Sequence, residues 1–316
     1  MKKIYVIGGA NIDIFALSKK EIVLRDSNPA RIELSFGGVA RNIAENLCHL
    51  EERPVFVSAF ANDAFGKVLF EDCQRLGMDL KYSEVIEGAS SSMYLANLNY
   101  DRDMYLAMND MSIVSAIDKS TIDKLNAVIN DDDYVIADTN LDQDVYEYLF
   151  KTLKGNKITD AISTAKAPKI LRVLDNISIL KMNKLEAESI CGMELDSQIK
   201  FVSLLKMLNQ KGVQEVLVTD KDGLYIGITG KVYHYRHDAY NRNVANVTGA
   251  GDCLLAAYSY SRFHNASIES AAVMGLVSAV LTVASPKSVA GIRKSDIREA
   301  LANIGITGGI IYEYQN

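Results

Sequence analysis

Short apolar runs alternate with stretches of helical period along most of the chain. The segment KKIYVIGG (2–9) reads as a first buried strand, and PVFVSAF (54–60) as another. Further strand-like runs are YVIAD (134–138), KITDAI (157–162), SILKMN (178–183) and EVLVTD (215–220), each rich in β-branched or aliphatic residues and ending near a polar group. Between them lie helical patterns. From Gly37 the run GGVARNIAENLCHL puts Val39, Ile43, Leu47 and Leu50 on one face, and 63–77 gives a helix that stops at Gly77. Segments 144–154, 184–192 and 199–212 repeat the pattern, and after Gly249 the chain reads as almost entirely helical. This alternation predicts an α/β fold, a mainly parallel sheet covered by helices.

Two segments break the alternation. Residues 12–38 hold two strand-like pieces joined by a polar turn, and 91–110 (SSMYLANLNYDRDMYLAMND) reads as a hairpin turning at Asp101–Asp103. Both are inserted among βα units. Approximately 12–36 and 91–110 are therefore expected to form a small β lid beside one main domain spanning 1–316, placed where a cover over a substrate would sit. Decorative edge strands are the alternative.

Composition narrows the class. The 316 residues are 48% hydrophobic and 23% charged, with four prolines, which is ordinary globular material. A net charge of −6 argues against a nucleic-acid surface but not against a nucleotide, which needs only a few local donors. Cys48, Cys73, Cys191 and Cys253 are far apart with no C-x-x-C pair, so metal and disulfide frameworks are not expected. The first apolar run stops at Asn11 and Asp13, too short for a leader, and no apolar stretch reaches membrane-spanning length. The expectation is a cytoplasmic protein with neither nucleic-acid nor membrane partners.

Familiar site motifs fail. A dinucleotide fingerprint starting at Gly8 breaks at Ala10 and Asp13, and Gly66-Lys67 is followed by Val68 rather than a hydroxyl residue. His234 and His237 form an H-x-x-H in a strand-like stretch, and a surface or edge role is expected for them rather than a metal.

Four short elements remain, each at a strand end or helix start. They are Asn11-x-Asp13, Gly37-Gly38-x-x-x-Asn42, Asn183-x-x-Glu186 and Asn246-Val247-Thr248-Gly249-Ala250-Gly251-Asp252. In the last, two glycines permit unusual backbone angles and Asp252 falls in a first helical turn, where free N–H groups attract anions. The acid could cap that helix, or serve as a base beside a bound phosphate. The N-x-x-E could likewise be capping alone.

Taken in order, these elements resemble the ribokinase-like (PfkB) family of carbohydrate and nucleoside kinases over essentially the whole chain. Within the family the likeness is to the pseudouridine-phosphorylating subgroup, through Asp26-Ser27-Asn28-Pro29, Gly37-Gly38-Val39-x-Arg41-Asn42, Met108-Asn109-Asp110-Met111 and Asn246-Val247-Thr248. The resemblance implies transfer of the ATP γ-phosphoryl to a primary hydroxyl of a small nucleoside or sugar. Asp252 would be the base, and the amides of Gly249, Ala250, Gly251 and Asp252 the anion hole. Asp13 would bind vicinal sugar hydroxyls, with Asn11, Gly37, Gly38 and Asn42 lining the same pocket. Lys166 could reach substrate or phosphate, and Asn109 and Ser27-Asn28 would meet a base.

Asn183, Thr219 and Gly223 would face the nucleotide. Glu186 would hold Mg²⁺ through water, with Asp160 as a further candidate. Ribose, another nucleoside or a related sugar remains the alternative substrate, and a non-catalytic binding protein a different class. Two departures stand out. Asp220 occupies the usual glycine of the nucleotide strand, and Asn246 replaces the commoner Asp, removing a negative charge where many relatives bind a monovalent cation. Potassium activation is therefore open. Lid strands of this family often pair between two subunits, so a homodimer through the lid is a further expectation.

Overall fold

The tetrapeptide Ile4–Ile7 (β1) is buried along its whole length, and its alternate side chains enter two separate apolar layers. Tyr5 and Ile7 join one layer, Ile4 and Val6 the other. A strand covered on both faces has no polar side to show, which is why it reads as a continuous apolar run. The protein is described from a computed structural model over residues 2–221, 223–238 and 244–314.

Along the chain, β1 is followed by β2 (Asn11–Ser18), β3 (Ala30–Gly37), α1 (Val39–His49), β4 (Val55–Val57), β5 (Ala59–Ala61), α2 (Ala64–Arg75) and β6 (Glu84–Ile86). Next come β7 (Met93–Leu98), β8 (Met104–Asp110), α3 (Lys119–Asn126), β9 (Tyr134–Asp138), α4 (Gln143–Thr152) and β10 (Asn156–Asp160). Then follow β11 (Ile179–Asn183), α5 (Lys184–Cys191), α6 (Gln198–Gln210), β12 (Glu215–Asp220), β13 (Gly223–Ile228) and β14 (Lys231–His237). The last elements are α7 (Ala250–Phe263), α8 (Ile268–Val283), α9 (Lys294–Leu301) and β15 (Ile306–Glu313).

The main sheet has the order β15-β14-β13-β12-β11-β10-β9-β1-β4. It is parallel from β4 to β12 and antiparallel from β12 to β15. Residues of α3, α4, α5 and α6 pack in one layer, and those of α1, α7 and α8 in the other. The carboxyl ends of the parallel strands therefore converge on one edge, where Gly8, Asp138, Asp160, Asn183 and Thr219 lie. Open α/β sheets bind ligands at that edge.

The two irregular segments do come together. They form a separate four-stranded sheet ordered β3-β2-β7-β8. Its register puts Asp13, Ser35, Tyr94 and Asn109 on one face in a row across four strands. Ile14, Leu34, Leu95 and Met108 form the corresponding row on the other face, and Ile32, Leu34, Leu106 and Met108 there are exposed.

One expectation fails. The chain after Gly249 does not stay helical, since Ile306–Glu313 adds an antiparallel strand to the open edge of β14. Two glycines and a mostly exposed pattern hide that strand in the sequence, and the waiting edge recruits it. No helix among the described residues is long and apolar enough to cross a membrane.

Candidate active site

Gly249 starts α7 in the left-handed region, at φ 83°, and a β-carbon there would lie 1.9 Å from the Ser288 carbonyl oxygen. Only glycine fits that turn. No side chain caps the helix it opens, whereas Asp63, Asp118 and Ser267 cap α2, α3 and α8. The Ala250 amide donates to the Val247 carbonyl at 3.4 Å, and no side chain takes up the amides of Gly251 and Asp252 in the first turn. Asp252 sits in this turn, buried, and its Oδ2 accepts a 2.8 Å hydrogen bond from Asn42 Nδ2 on α1. Burial and the nearby Asp160 charge push its carboxyl up to about 7, against the Asn42 bond and the Lys181 charge. The simple-cap reading loses its main support, because Asp252 is bonded across to α1 rather than to its own helix.

Asn42 is itself buried, and its Oδ1 has no partner among the described residues. An acceptor stranded beside a carboxylate suits a ligand hydroxyl. The helix carrying it begins at Gly38, with φ 100°, where a β-carbon would meet the Gly9 carbonyl at 2.4 Å. Gly37 has a different neighbour: its β-carbon would fall 2.2 Å from Asp13 Oδ2. The glycine pair therefore lets β3 and α1 close against Asp13 and the backbone after β1. For Gly38 this chain-to-chain contact is the constraint observed, at a residue that the family resemblance places in the sugar pocket. Asn11 donates to Asp13 Oδ1. Burial pushes the Asp13 carboxyl up to about 6, opposed by that bond and by Arg41.

Asp138, at the end of β9, went unnoticed in the sequence. Fully buried, it accepts hydrogen bonds from the amides of Gly9 and Ala40 (both 3.2 Å), from the Asn140 amide at 2.9 Å and from Asn140 Nδ2 at 3.0 Å. One carboxylate thus fixes the end of β1, the start of α1 and the loop after β9. Lys166 reaches this corner, donating to Asn140 Oδ1.

The other carboxylates lie one and two strands further along the sheet. Asp160 ends β10 and sits 2.8 Å from Lys181 Nζ on β11, both buried. Burial alone would lower the Lys181 ammonium, but the charges of Asp160, Glu186 and Asp252 outweigh it and hold it above its usual value. Lys181 was passed over as part of the strand SILKMN, although a lysine between Leu180 and Met182 was the available signal. Asn183 and Glu186 form a complete capping box on α5, with Asn183 N to Glu186 Oε2 at 2.8 Å and Glu186 N to Asn183 Oδ1 at 2.9 Å. The capping reading is therefore present in full. Glu186 is also buried, its carboxyl raised by burial and by Asp160.

Among the described residues no group of three or more His, Cys, Asp or Glu side chains could hold a metal. Asp160 and Glu186 fit only an ion ligated mainly by water and a bound anion, which is how Mg²⁺ is commonly held. His234 instead stacks on Tyr225, with ring centroids 3.8 Å apart.

A largely apolar cavity of about 380 Å³ opens beside the start of α7. Thr219, Asp220 and Gly223 from the β12–β13 turn form one side, Ala250 and Gly251 the floor, and Leu276, Ala279 and Val283 of α8 the back. Asp220, at the usual glycine position, thus borders the cavity; Asp222 lies outside the described residues. Gly223 is required by the turn, where a β-carbon would meet the Tyr235 carbonyl at 2.0 Å.

Across the cleft, Asn109 shares the Asp13 face of the lid through Tyr94. Phe15, two residues beyond Asp13, packs edge-on to Tyr94 at 6.2 Å. Neither aromatic was singled out in the sequence, since in isolation each reads as an ordinary strand residue. Asn28 turns out to be occupied by its own loop. Its Oδ1 accepts from the Val23 amide, and its Nδ2 donates to the Val23 and Asp26 carbonyls.

A cavity of about 380 Å³ beside a helix start without a side-chain cap, and a buried acid bonded across to Asn42, suit a phosphotransferase on an α/β sheet. The profile of the pfkB family carbohydrate kinases matches residues 1–294, and the chain belongs to that family. It is an ATP-dependent sugar or nucleoside kinase. The chain is 31% identical over 256 residues to the pseudouridine kinase of Escherichia coli K12, covering 80% of this chain and 81% of that one. In structure it is similar to a carbohydrate kinase from Agrobacterium tumefaciens (TM-score 0.82, 25% identity, 98% and 100% of the two chains). It also matches the fold of Arabidopsis thaliana ribokinase complexed with ribose and ATP (TM-score 0.79, 20% identity, 95% and 99%).

The environment of Asp252 has a consequence for stability. Its folded value, about 7, lies above its ordinary value of 3.8, so the folded state keeps a proton that the unfolded chain releases. The group thus favours folding at low pH, and that contribution is lost as pH rises toward 7. Asp252→Asn keeps the Asn42 bond without the charge. Its Tm should exceed that of the parent by more at pH 8 than at pH 5 in parallel thermal melts. An equal gap at both pH values would mean that Asp252 is not held up by burial.

Proposed function

We propose that the protein transfers the γ-phosphoryl of ATP to the 5′-hydroxyl of pseudouridine, giving pseudouridine 5′-phosphate and ADP. The observation that carries this reading is the Asn42–Asp252 hydrogen bond, which joins the helix of the polar cleft to the helix start beside the apolar cavity. The acceptor would lie against Asp13, Asn11 and Asn42, and the nucleotide against Thr219, Gly223 and Asn183. In the reaction the 5′-oxygen attacks the γ-phosphorus and Asp252 takes its proton. The bond between that phosphorus and the β–γ bridging oxygen breaks, and ADP leaves. The amides of Gly249, Ala250, Gly251 and Asp252, at a helix start with no side-chain cap, face the charge on the transferring group.

Asp13 accepts two vicinal hydroxyls, Asn42 Oδ1 a further donor, and Lys166 steadies the substrate side through Asn140. Glu186, with Asp160 as a further candidate, would hold Mg²⁺ through water, and the ion would supply positive charge against the phosphate oxygens.

Support for a nucleoside over a bare sugar comes from the lid. A free ribose has no use for an aromatic pair, yet Phe15 and Tyr94 lie on the face that carries Asp13 and Asn109. An aromatic ring there can stack on a base, typically worth about 1–3 kcal/mol. Support for pseudouridine comes from the Escherichia coli relative. A kinase for ribose or another nucleoside is the rival reading, favoured by the ribokinase fold match.

Asp252→Asn should lower kcat by about 10²–10⁴ while ATP still binds. Because the base acts only when ionised, kcat/KM of the parent should fall as pH drops below about 7, and the variant should lose that limb. Near-parental turnover in the variant would end the base assignment.

Glu186→Gln should raise the Mg²⁺ requirement more than the nucleoside KM. A superimposable magnesium titration would leave the capping box as the whole role of Glu186.

A coupled ADP-release assay should rank kcat/KM as pseudouridine, then uridine, then ribose. Uridine lacks one ring N–H that the carbon-linked base presents, so an Asn109 amide pairing with it would be left unpaired, costing about 1–3 kcal/mol, or roughly 5–150-fold. Asn109→Ala should narrow that gap, and Tyr94→Ala should weaken both nucleosides more than ribose. Ribose turning over as efficiently as pseudouridine would sink the nucleoside reading.

A further inference from the structure

Two cationic side chains are buried among the described residues, Arg41 and Lys181. Arg41 is committed to carboxylates on two helices, Asp72 at 2.6 Å and Glu45 at 2.9 Å. Lys181 is different. It projects from a strand whose preceding residues, Ile179 and Leu180, and following Met182 are all buried hydrophobics. Among the described residues its one ion-pair partner is Asp160, at 2.8 Å. An ammonium carries three N–H donors, and one carboxylate oxygen occupies one of them.

The position of that ammonium matters more than its pairing. A β-carbon on Gly251 would lie 2.4 Å from Lys181 Nζ and 3.2 Å from its Cε. The lysine therefore comes up beneath the first turn of α7, against the residue that forms the floor of the nucleotide-sized cavity. No side chain caps that turn, so the start of α7 and a buried ammonium meet at one point. Any side chain larger than hydrogen at position 251 would stand where the lysine does.

The charge balance points the same way. Asp160, Glu186 and Asp252 are all buried at this end of the sheet, and Lys181 is the buried cation whose charge acts on each of them. Three carboxylates and one ammonium are a poor reception for a triphosphate unless the ammonium is turned toward it. An ion pair kept only for stability would be replaceable here, since buried pairs exchanged for apolar residues are often neutral or better.

We propose that Lys181 is a catalytic residue that donates a hydrogen bond from Nζ to a non-bridging oxygen of the γ-phosphoryl group. This rests on the kinase reading of the site, though not on which nucleoside accepts the phosphoryl. During transfer the bond to the β–γ bridging oxygen breaks, the bond to the acceptor oxygen forms, and the hydroxyl proton goes to Asp252. Lys181 stays protonated throughout, opposing negative charge on the group in flight. Gly251 then has two functions: its amide faces the phosphoryl, and its missing side chain leaves room for the lysine.

The test reads nucleotide binding without turnover. Affinities of ADP and of the β,γ-imido analogue of ATP, each with Mg²⁺, are measured by calorimetry on the full chain and on Lys181→Met, Lys181→Arg, Asp160→Asn and the Lys181→Met/Asp160→Asn double variant. Circular dichroism checks the fold of each. Losing a charge-assisted hydrogen bond should weaken the analogue by about 10–100-fold, and ADP far less. Lys181→Arg should recover part of that loss.

The ratio of the two affinities should be as depressed in the double variant, relative to Asp160→Asn alone, as in Lys181→Met. If leaving Asp160 unpaired unfolds Lys181→Met, the double variant supplies the reading. Equal weakening of both nucleotides, no weakening, or a ratio restored in the double variant would show that Lys181 only balances Asp160. A failed nucleoside panel would leave this result standing, because no acceptor is present.

Discussion

Buried charge at the carboxyl edge of the sheet is the constraint on which the rest of this protein turns. Asp138, Asp160, Lys181, Glu186 and Asp252 are all buried within the ends of β9, β10 and β11 and the starts of α5 and α7. Withdrawing such groups from water is costly, and each must find partners. Asp138 finds four donors, Asp160 finds Lys181, Glu186 finds the Asn183 amide and side chain, and Asp252 finds Asn42. Those partners come from the turn after β1, from α1, from the loop after β9 and from β11, so satisfying the charges also fixes how β9, β10, α5 and α7 meet them. The two apolar layers hold the sheet together; the polar edge decides its arrangement to within a hydrogen bond.

That arrangement joins two regions of different character. On one side is a polar cluster at the small sheet, with Asn11, Asp13 and the stranded Asn42 Oδ1. On the other is the largely apolar cavity between the β12–β13 turn and α8. Asp252 is where they touch. A carboxylate held up to about 7 by burial is a stronger proton acceptor than a free one, and this is the state a base for a hydroxyl needs. The same burial that makes it basic makes it a burden on stability, so the strain and the chemistry share one cause.

The lid shows a second economy. Its strands are open to solvent on much of both faces, and its inner row gathers Asp13, Tyr94 and Asn109 from three strands. A register shift of one residue would turn all three away from the cleft. The glycine pair guards against this. Gly37 lets β3 lie against the Asp13 carboxylate, and Gly38 turns the chain into α1 where a larger residue would strike the Gly9 carbonyl. Strand register and the polar row of this sheet thus depend on the same few residues.

Local pattern made much of this legible. The strands at 4–7, 134–138, 179–183 and 215–220 follow from apolar runs, and the lid from two alternating insertions, because burial on two faces and on one leave different periods. Three of the four short motifs were readable from a distinctive residue type: glycine at 38 and 249, where a β-carbon would strike backbone, and a carboxylate at 13 and 252. Other features depended on distant segments. Ile306–Glu313 became a strand because β14 offered an edge, not because its own sequence demanded one. Asp138 and Lys181 looked like strand residues until residues 98 and 70 positions away closed on them: Ala40 on Asp138, and Gly251 on Lys181. Phe15 and Tyr94 likewise became a pair only through the parallel register of β2 and β7. Sequence alone determined which residues could do chemistry and which segments would be buried, since both depend on local composition. Only the tertiary structure decided which of those residues face one another, because a buried charge takes its role from whatever partner the fold brings within hydrogen-bonding distance.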